Sequence, residues 1–467
     1  MRIPFLAMLA GALALGACKD ATRPDLNNPS VTDFSTITNL SQVQALTIGV
    51  LNGDRGQIGN EILYGETIGR DGYRLTGSEP RFVTELNGEA IDPSDFLGAA
   101  LWPYASIRLA NIGINGVNNA DPAVLPAEAQ QATLGYLRTL KALLYMRIVE
   151  SHDTAGAPIN VDIPATDPPA PLSCANDVKA YISALLDSAA TNLAAGGSSF
   201  PFVLTPGFDG FDTPETFLTF NRALAAKVDI YIAFRNYASS GTIDNAALTA
   251  ASTALDASFL PATPTADNLN DGPKHDYSTN SGDAVNPLSE NPDLTTLRAN
   301  PRVVTEADPG DQRVARKIVT KSPITQSGLT SSYVFVVYPS VSSQIPIITV
   351  KELVAMKAEI LWGQGLYGPA LAESNILRTI DGGLAPSTAS GAGPVLDEIL
   401  KQKRYSLLWE SPDRFIDSRL FGKLNGSAPP AGVGQERGFD PLQNFPIPFN
   451  EASARSGDLT QQCTSGT

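Results

Sequence analysis

Cysteine, histidine, tryptophan and charge are all scarce in this 467-residue chain: three Cys, two His, three Trp, and only 17% charged residues. Each shortage excludes something. The two histidines, His152 and His275, stand far apart, with no HExxH pattern and no Cys/His cluster beside either. Zinc chemistry therefore lacks a ligand set, a metal enzyme would have to rely on carboxylates alone, and no metal or cofactor is expected. No GxSxG elbow and no GxxxxGK[ST] loop occurs, so nucleophilic acyl transfer and phosphate cradling have no sequence carrier. Lys+Arg number 33 against 48 Asp+Glu, a formal charge of −15. An extended polyanion would be repelled, and nucleic acid is not an expected partner. Low complexity is excluded too, since Gly 39 and Pro 35 fall below the roughly 25–30% at which chains stop building a core. With 43% hydrophobic residues, the body should be globular, as about three domains or one large one.

What is present begins with an N-terminus suited to export. Met1-Arg2 is followed by an apolar run from Ile3 to Leu15 that contains Pro4. At about 13–15 residues it is too short to span a bilayer and fits a signal peptide. It ends in Leu15-Gly16-Ala17-Cys18, the lipobox pattern at which bacterial lipoprotein signals are cut and the cysteine is lipidated. Residues 1–17 therefore read as the signal and Cys18 as the lipidation site. Residues 18–30 are polar and punctuated by Pro24 and Pro29, a tether in which ten extended residues reach about 30 Å. Acyl chains at about 0.8 kcal/mol per buried CH₂ would hold a soluble body on the membrane without a spanning helix. Lys19 follows the cysteine where an inner-membrane retention signal would place Asp, so the outer membrane is expected, with the body facing the cell exterior. In that oxidising compartment Cys174 and Cys463 could form a disulfide or remain two buried thiols, and the sequence leaves both open.

No strict 34-residue repeat is visible, but helical periodicity recurs along the body. From Ala127 to Val149 the residues Leu134, Leu137, Leu140, Leu144 and Ile148 return at three- and four-residue steps, which predicts a helix burying one face. Tyr181 to Leu193 repeats the pattern. Thr213-Pro214, a hydroxyl cap followed by Pro at the first helical position, should open a third helix ending near Asn236. Further helices are expected over Ala246 to Ala257, Val350 to Trp362, Tyr367 to Ile380 and Pro394 to Trp409. Residues 155–172, with their prolines, and 261–345, rich in Pro, Asn, Asp, Gly and Ser at their start, read as long loops. So does a Gly-rich stretch near 53–95. A short strand is expected at Tyr333 to Tyr338. The class is mainly α, with sequential helix pairs stacked into an array and loops available for binding.

Four stretches in order resemble the SusD/RagB family of outer-membrane nutrient-binding lipoproteins. The first is Trp102, Tyr104, Ile107 and Asn111. The second is Gly135-Tyr136-Leu137-Arg138, then Ala142 to Tyr145 and Pro158-Ile159, with Tyr136 in place of an acidic residue. The third is Ile345-Pro346-Ile347-Ile348, then Glu352, Ala358-Glu359, Asn375 and Arg378, with Thr349 where the family usually has arginine. The fourth is Glu410, Arg414, Phe415, Asp417 and Arg419, with Ser411-Pro412 where glycine is expected, followed by Asn444 to Pro448 and Glu451. The resemblance implies a single SusD-like domain over 31–467, an array of TPR-like helix pairs decorated by long loops. It also implies a non-enzymatic role: capture of a glycan oligosaccharide or peptide and delivery to a SusC-like TonB-dependent outer-membrane transporter, on which the protein sits as a lid.

The charged motif residues read as scaffold, since alternating charges pair with one another and with helix ends. A rival reading, a surface glycoside hydrolase, would need Glu410 and Asp417 facing each other across one cleft about 5–10 Å apart. A third, a helical-repeat scaffold with no small ligand, would show a concave face free of exposed aromatics. Sugars are bound by aromatic faces and planar polar side chains, so loop aromatics and arginines are the binding candidates. These are Tyr64, Tyr73, Arg74, Arg81, Phe82 and Tyr277. Trp102 and Trp409 are expected in the core.

Overall fold

The computed structural model describes residues 34, 36–164, 166–424 and 432–464; the stretches read as signal (1–17) and tether (18–30), Cys18 included, lie outside them. Ten principal helices run α1 (Leu40–Ile68), α2 (Tyr104–Asn118), α3 (Ala127–His152), α4 (Ala175–Ala194), α5 (Pro214–Ala233), α6 (Asn245–Asp256), α7 (Val350–Gly363), α8 (Tyr367–Ile376), α9 (Ala392–Leu407) and α10 (Asp413–Leu420). Each packs on its sequence neighbour from α1 through α10, and α1 also packs on α3 and α10, which closes the stack. This is the expected mainly α array of helix pairs. Among the described residues no helix is long and apolar enough to cross a membrane.

Local chemistry explains the helix ends. Thr213 accepts from the Thr216 backbone N–H while the Thr216 hydroxyl returns to the Thr213 N–H, and Pro214 takes the first position of α5, as read from the sequence. Asn39 and Gln42 make the same reciprocal cap on α1. That helix is the main departure from expectation, because the glycines of residues 53–68 suggest a loop. Those glycines are packing positions. A Cβ on Gly53 would stand 2.2 Å from Ser106 Oγ of α2, and one on Gly65 would stand 2.5 Å from Pro412. Close helix approach, at a cost in intrinsic helicity of about 1 kcal/mol each, is what they provide.

The 261–345 stretch also holds more structure than expected. β1 (Gly72–Arg74), β2 (Leu297–Ala299), β3 (Ile318–Gln326) and β4 (Leu329–Phe335) form one antiparallel sheet in the order β1-β2-β4-β3. Ser327 and Gly328, both at positive φ, make the two-residue turn between β3 and β4. The strand expected at Tyr333 to Tyr338 is the end of β4, which stops at Phe335. Phe335 there stacks on the fully buried Trp409 at 4.0 Å. Among the described residues of 155–172 no helix occurs beyond the short turn that ends at Ala155. Cys174 and Cys463 are bonded, with Cα atoms 5.1 Å apart, beside a parallel pairing of Leu172–Ser173 with Gln461–Gln462.

Charged side chains run through the helical core. Arg147 on α3 holds Asp54 at 2.8 Å and Glu61 at 2.8 Å from α1, and His275 bonds the far oxygen of Asp54 at 2.7 Å. Lys227 on α5 reaches Glu150 at 3.1 Å, Glu352 at 2.9 Å and Asp413 at 3.3 Å. Lys403 on α9 takes Glu359 at 2.9 Å, Asp417 at 3.0 Å and Asp413 at 3.5 Å. Carboxylates outnumber the cations on this spine, so some must keep a proton. Burial pushes Glu61 and Asp417 well above the usual carboxylate range and Glu352 up to about 7.

Candidate functional site

The loop after α6 folds back onto the N-terminal end of α7 and leaves a cleft. The carbonyls of Asp271 and Leu269 accept from the Val350 and Lys351 N–H groups at 3.0 Å each, and Pro273 O accepts from Ile347 N–H at 2.9 Å. Those contacts satisfy donors that a helix start leaves open. Gly272, at φ 146°, is required there, since a Cβ would lie 2.0 Å from Ile348 O. Asp276 joins three segments by accepting from Gly207 N–H at 2.7 Å and from the Gln344 amide at 2.6 Å. Lys274–His275 pairs antiparallel with Ile345–Pro346 and forms a ridge that divides the cleft.

The outer hollow, about 570 Å³, is lined by Phe211, Phe259, Asp209, Asn268, Asp271, Lys274 and Gln344 among others. Phe211 and Phe259 meet edge to face, with centroids 5.0 Å apart, and both are half-buried. The inner hollow, about 340 Å³, shares Lys274 and Gln344 and adds Asn270, Val337, Tyr338, Thr349 and Glu410. Both volumes fall in the small-molecule range. Lys317 and Lys351 hold the Glu410 carboxylate at 2.8 and 2.6 Å. Burial raises this group's pKa, but the two ammonium groups outweigh burial and bring it down to about 2. Burial, with Glu410 nearby, pushes the Tyr338 phenol well above its usual range, so it stays a neutral hydroxyl. Tyr338 and Thr349 are 6% and 3% exposed, and neither hydroxyl has a hydrogen-bond partner. Thr349 occupies the N-cap of α7 without spending its side chain on the cap. Lys274 and Asn270 also have no side-chain partner among the described residues.

The residues singled out from the sequence lie elsewhere, and the structure gathers four of them. Tyr64, Phe82 and Phe96 form a ladder with centroids 6.2 and 5.3 Å apart, and Tyr64 also meets Phe445 at 6.0 Å. Arg74 lies over Phe82 and Arg81 over Phe96, each at 4.8 Å. The Tyr64 and Phe82 rings are buried, and Arg81 is held by Glu79 at 2.6 Å and Asp95 at 3.1 Å. Tyr73, on β1, donates its hydroxyl to Glu436 and is buried. Tyr277 is buried under Arg55 and donates to the Arg55 carbonyl. These four rings, Tyr64, Tyr73, Phe82 and Tyr277, are buried against their own segments. Phe211, Phe259, Lys274 and Gln344, which line the outer hollow, are not among the residues the sequence singles out. A signal existed for the first, since Gly207-Phe208-Asp209-Gly210-Phe211-Asp212 places a ring in a Gly/Asp loop twice over.

The motif charges act as scaffold, although not by pairing with one another. Arg419 donates to the Val149 and Glu150 carbonyls at the end of α3, and Arg414 to Gly432 O. Arg138 bonds the Asn192 amide. Lys317 and Lys351 hold Glu410 as a carboxylate, whereas burial outweighs Lys403 at Asp417 and pushes its pKa up. A further hollow of about 290 Å³ near the end of α3 is lined by Glu150, Asp153, Lys179, Tyr231 and Arg419. Its groups are spent on each other, with Lys179 on Asp153 at 2.8 Å and Tyr231 on Glu150 at 2.8 Å.

Similarity to known proteins is visible in structure and not in sequence. No family model and no curated protein matches the chain. Among solved structures, a SusD superfamily protein from Parabacteroides distasonis superposes with a TM-score of 0.67 at 15% identity, covering 90% of this chain and 98% of its own. The surface glycan-binding protein A from Bacteroides uniformis gives 0.63 at 15%, covering 89% and 98%. A SusD-like carbohydrate-binding protein from Bacteroides fragilis gives 0.62 at 13%, covering 90% and 99%. The chain therefore has the SusD-like fold over nearly all its described length.

Proposed function

We propose that this protein is a surface lipoprotein that captures a glycan in the cleft between the 261–274 loop and α7. The observation that carries this reading is the Phe211–Phe259 pair set beside Asp209, Asn268, Asp271, Lys274 and Gln344. Half-buried rings can cover the apolar CH faces of a sugar, while carboxylate, amide and ammonium groups take its hydroxyls. The cleft presents side chains more than strand edges, which favours a glycan over an extended peptide. Neighbours of the same fold whose names state glycan or carbohydrate binding support the same class.

The hydrolase alternative loses its support on geometry. Glu410 faces the inner hollow as a carboxylate fixed by two lysines, whereas Asp417 is buried against Lys403 and lines none of the described hollows. Capture therefore needs a second component. The lipid anchor at Cys18 and the tether would keep the body on the outer membrane at high effective concentration beside a SusC-like TonB-dependent transporter, to which it would hand the glycan. Binding is tested with the soluble body lacking residues 1–18 on a glycan array. A bound oligosaccharide whose affinity falls in Phe211→Ala or Phe259→Ala supports the reading, and an empty array removes it. Recovery of a barrel protein with the lipidated chain from detergent-solubilised outer membrane tests the partner.

A further inference from the structure

The ridge that divides the cleft is an extended segment with two faces. From Pro273 to Ser278 burial alternates strictly, with Pro273, His275 and Tyr277 buried and Lys274, Asp276 and Ser278 half-buried. That is the period of a strand with one side on the core. His275 and Tyr277 are both fastened to one turn of α1. His275 Nε2 lies 2.7 Å from Asp54 Oδ2, each residue being 1% exposed, and the Tyr277 hydroxyl donates to the Arg55 carbonyl at 3.3 Å. Arg55 returns the contact by donating to the Asp276 carbonyl at 3.1 Å. Burial works to raise the Asp54 pKa, but Arg147 and His275 outweigh it and hold the group well below the usual carboxylate range. Asp54 therefore only accepts, and His275 must carry a proton on Nε2. His275 Nδ1 has no partner among the described residues, so Asp54 is the ring's one polar tie. On the other face Lys274 lines both hollows without an ion pair.

Building on the capture reading, we infer that His275 is a positioning residue for capture: by bonding Asp54 it fixes the register of the ridge, and through the ridge it aims the Lys274 ammonium at the bound glycan. His275 lies behind the ridge, out of a ligand's reach, and acts only through its neighbour. The tie matters because the pairing of the ridge with Ile345–Pro346 spans two residues, and Pro346 has no N–H to give it. So short a ladder specifies register weakly, and a slip of one residue would turn Lys274 onto α1 and His275 into the cleft. The buried tie to Asp54 excludes that slip. An ammonium donates to a sugar hydroxyl and to a sugar carboxylate alike, so the same positioning serves a neutral or an acidic glycan.

His152 and His275 are the chain's only histidines, so imidazole-nitrogen NMR of the soluble body reads two rings, and His275→Gln assigns them. The His275 ring should be protonated on Nε2, and a bare Nε2 overturns the inference whatever binds. Malto-, cello-, xylo-, laminari- and mannohexaose and hexamannuronate are then titrated calorimetrically. The tightest binder should weaken about tenfold in Lys274→Met, about tenfold in His275→Leu and still only about tenfold in the double variant, as two residues acting as one require. His275→Gln, which keeps a donor for Asp54, should bind within about threefold of wild type. A histidine that served only the fold would lower the melting temperature and leave affinity alone. If a hexasaccharide binds while His275→Leu or Lys274→Met matches wild type, the inference fails and capture stands. Losses that multiply to about a hundredfold overturn it equally, because His275 would then act apart from Lys274. Should His275→Leu not fold, the wild-type ring decides: saturation with the same hexasaccharide should move the His275 signals, and unmoved signals overturn the inference. If no probe binds, the inference falls together with the capture reading.

Discussion

The helical scaffold and the cleft are both rich in aromatics and charge, yet the scaffold spends its cations on carboxylates while the cleft leaves Lys274 without an ion pair. In the scaffold a buried charge meets its counter-charge, as Arg147, Lys227 and Lys403 do, and a ring meets another ring or a guanidinium, as in the Tyr64–Phe82–Phe96 ladder. Single polar atoms still go unmet there, among them Arg298 Nε and Nη1, Arg70 Nε, Trp102 Nε1 and Trp409 Nε1, and nothing in the structure explains them. In the cleft, by contrast, Asn270 is exposed, Lys274 is half-buried, and neither side chain has a partner among the described residues. Composition alone does not separate a structural aromatic cluster from a binding one.

The comparison breaks most sharply where scaffold pairing is removed. Arg147→Met leaves Asp54 and Glu61 buried without their cation. A stability loss of about 3–5 kcal/mol is expected from orphaning buried charge. Chemical denaturation measures it. Protein that still folds should keep its glycan affinity, because Arg147 lines none of the hollows described above. A loss under about 1 kcal/mol would mean that the spine carries little of the fold.

That asymmetry also explains what the sequence disclosed. Helices announced themselves through apolar spacing, so α3 to α9 were legible to within a few residues, apart from the start of α4, and Thr213-Pro214 located the start of α5. Residues 53–68 were not, because glycine signals both a turn and a close helix contact, and only Ser106 and Pro412 decide which. The site was the least legible part. Phe211, Phe259, Lys274 and Gln344 lie far apart in the chain, and no spacing encodes their approach.

Acid and base should pull on the two regions in opposite directions. In the scaffold, Glu352 has its pKa raised by burial from 4.5 to about 7. The folded state thus keeps a proton that the unfolded chain has released, and this stabilisation is whole below about 4.5 and lost as pH rises through about 7. The gap corresponds to about 3 kcal/mol. In the cleft, the lysines beside Glu410 bring its pKa down to about 2, so its contribution is whole above about 4.5 and lost as pH falls through about 2. Glu352→Gln should therefore flatten the decline in stability between pH 4.5 and 7 and leave the acid limb intact. Urea midpoints across that range decide it, and an unchanged slope in the variant would rule out Glu352 as the source.

Removing a ring from the outer hollow should cost binding and little else. Phe211→Ala or Phe259→Ala is expected to weaken a bound glycan by about 10- to 100-fold, as anchoring aromatics do. Both rings are half-buried, so unfolding midpoints should shift less than for a core Phe such as Phe217, which is fully buried. Affinity unchanged in both variants would move the site away from this cleft.

The smallest expected effect is the most discriminating. Phe96 is the exposed end of the ladder, 38% accessible, and by exposure and residue type alone it resembles a sugar platform more than Phe259 does. Its face is already occupied, since Arg81 lies over it at 4.8 Å while held by Glu79 and Asp95. A sugar would have to displace a guanidinium that is itself ion-paired. Phe96→Ala should accordingly cost about 0.5–1 kcal/mol of stability, the worth of an exposed cation–π contact with some packing, and leave glycan affinity within twofold of wild type. A tenfold loss of affinity in that variant would make the ladder a second binding face, restore Arg74, Arg81 and Phe82 as ligand residues, and show that a paired aromatic can still be released for binding.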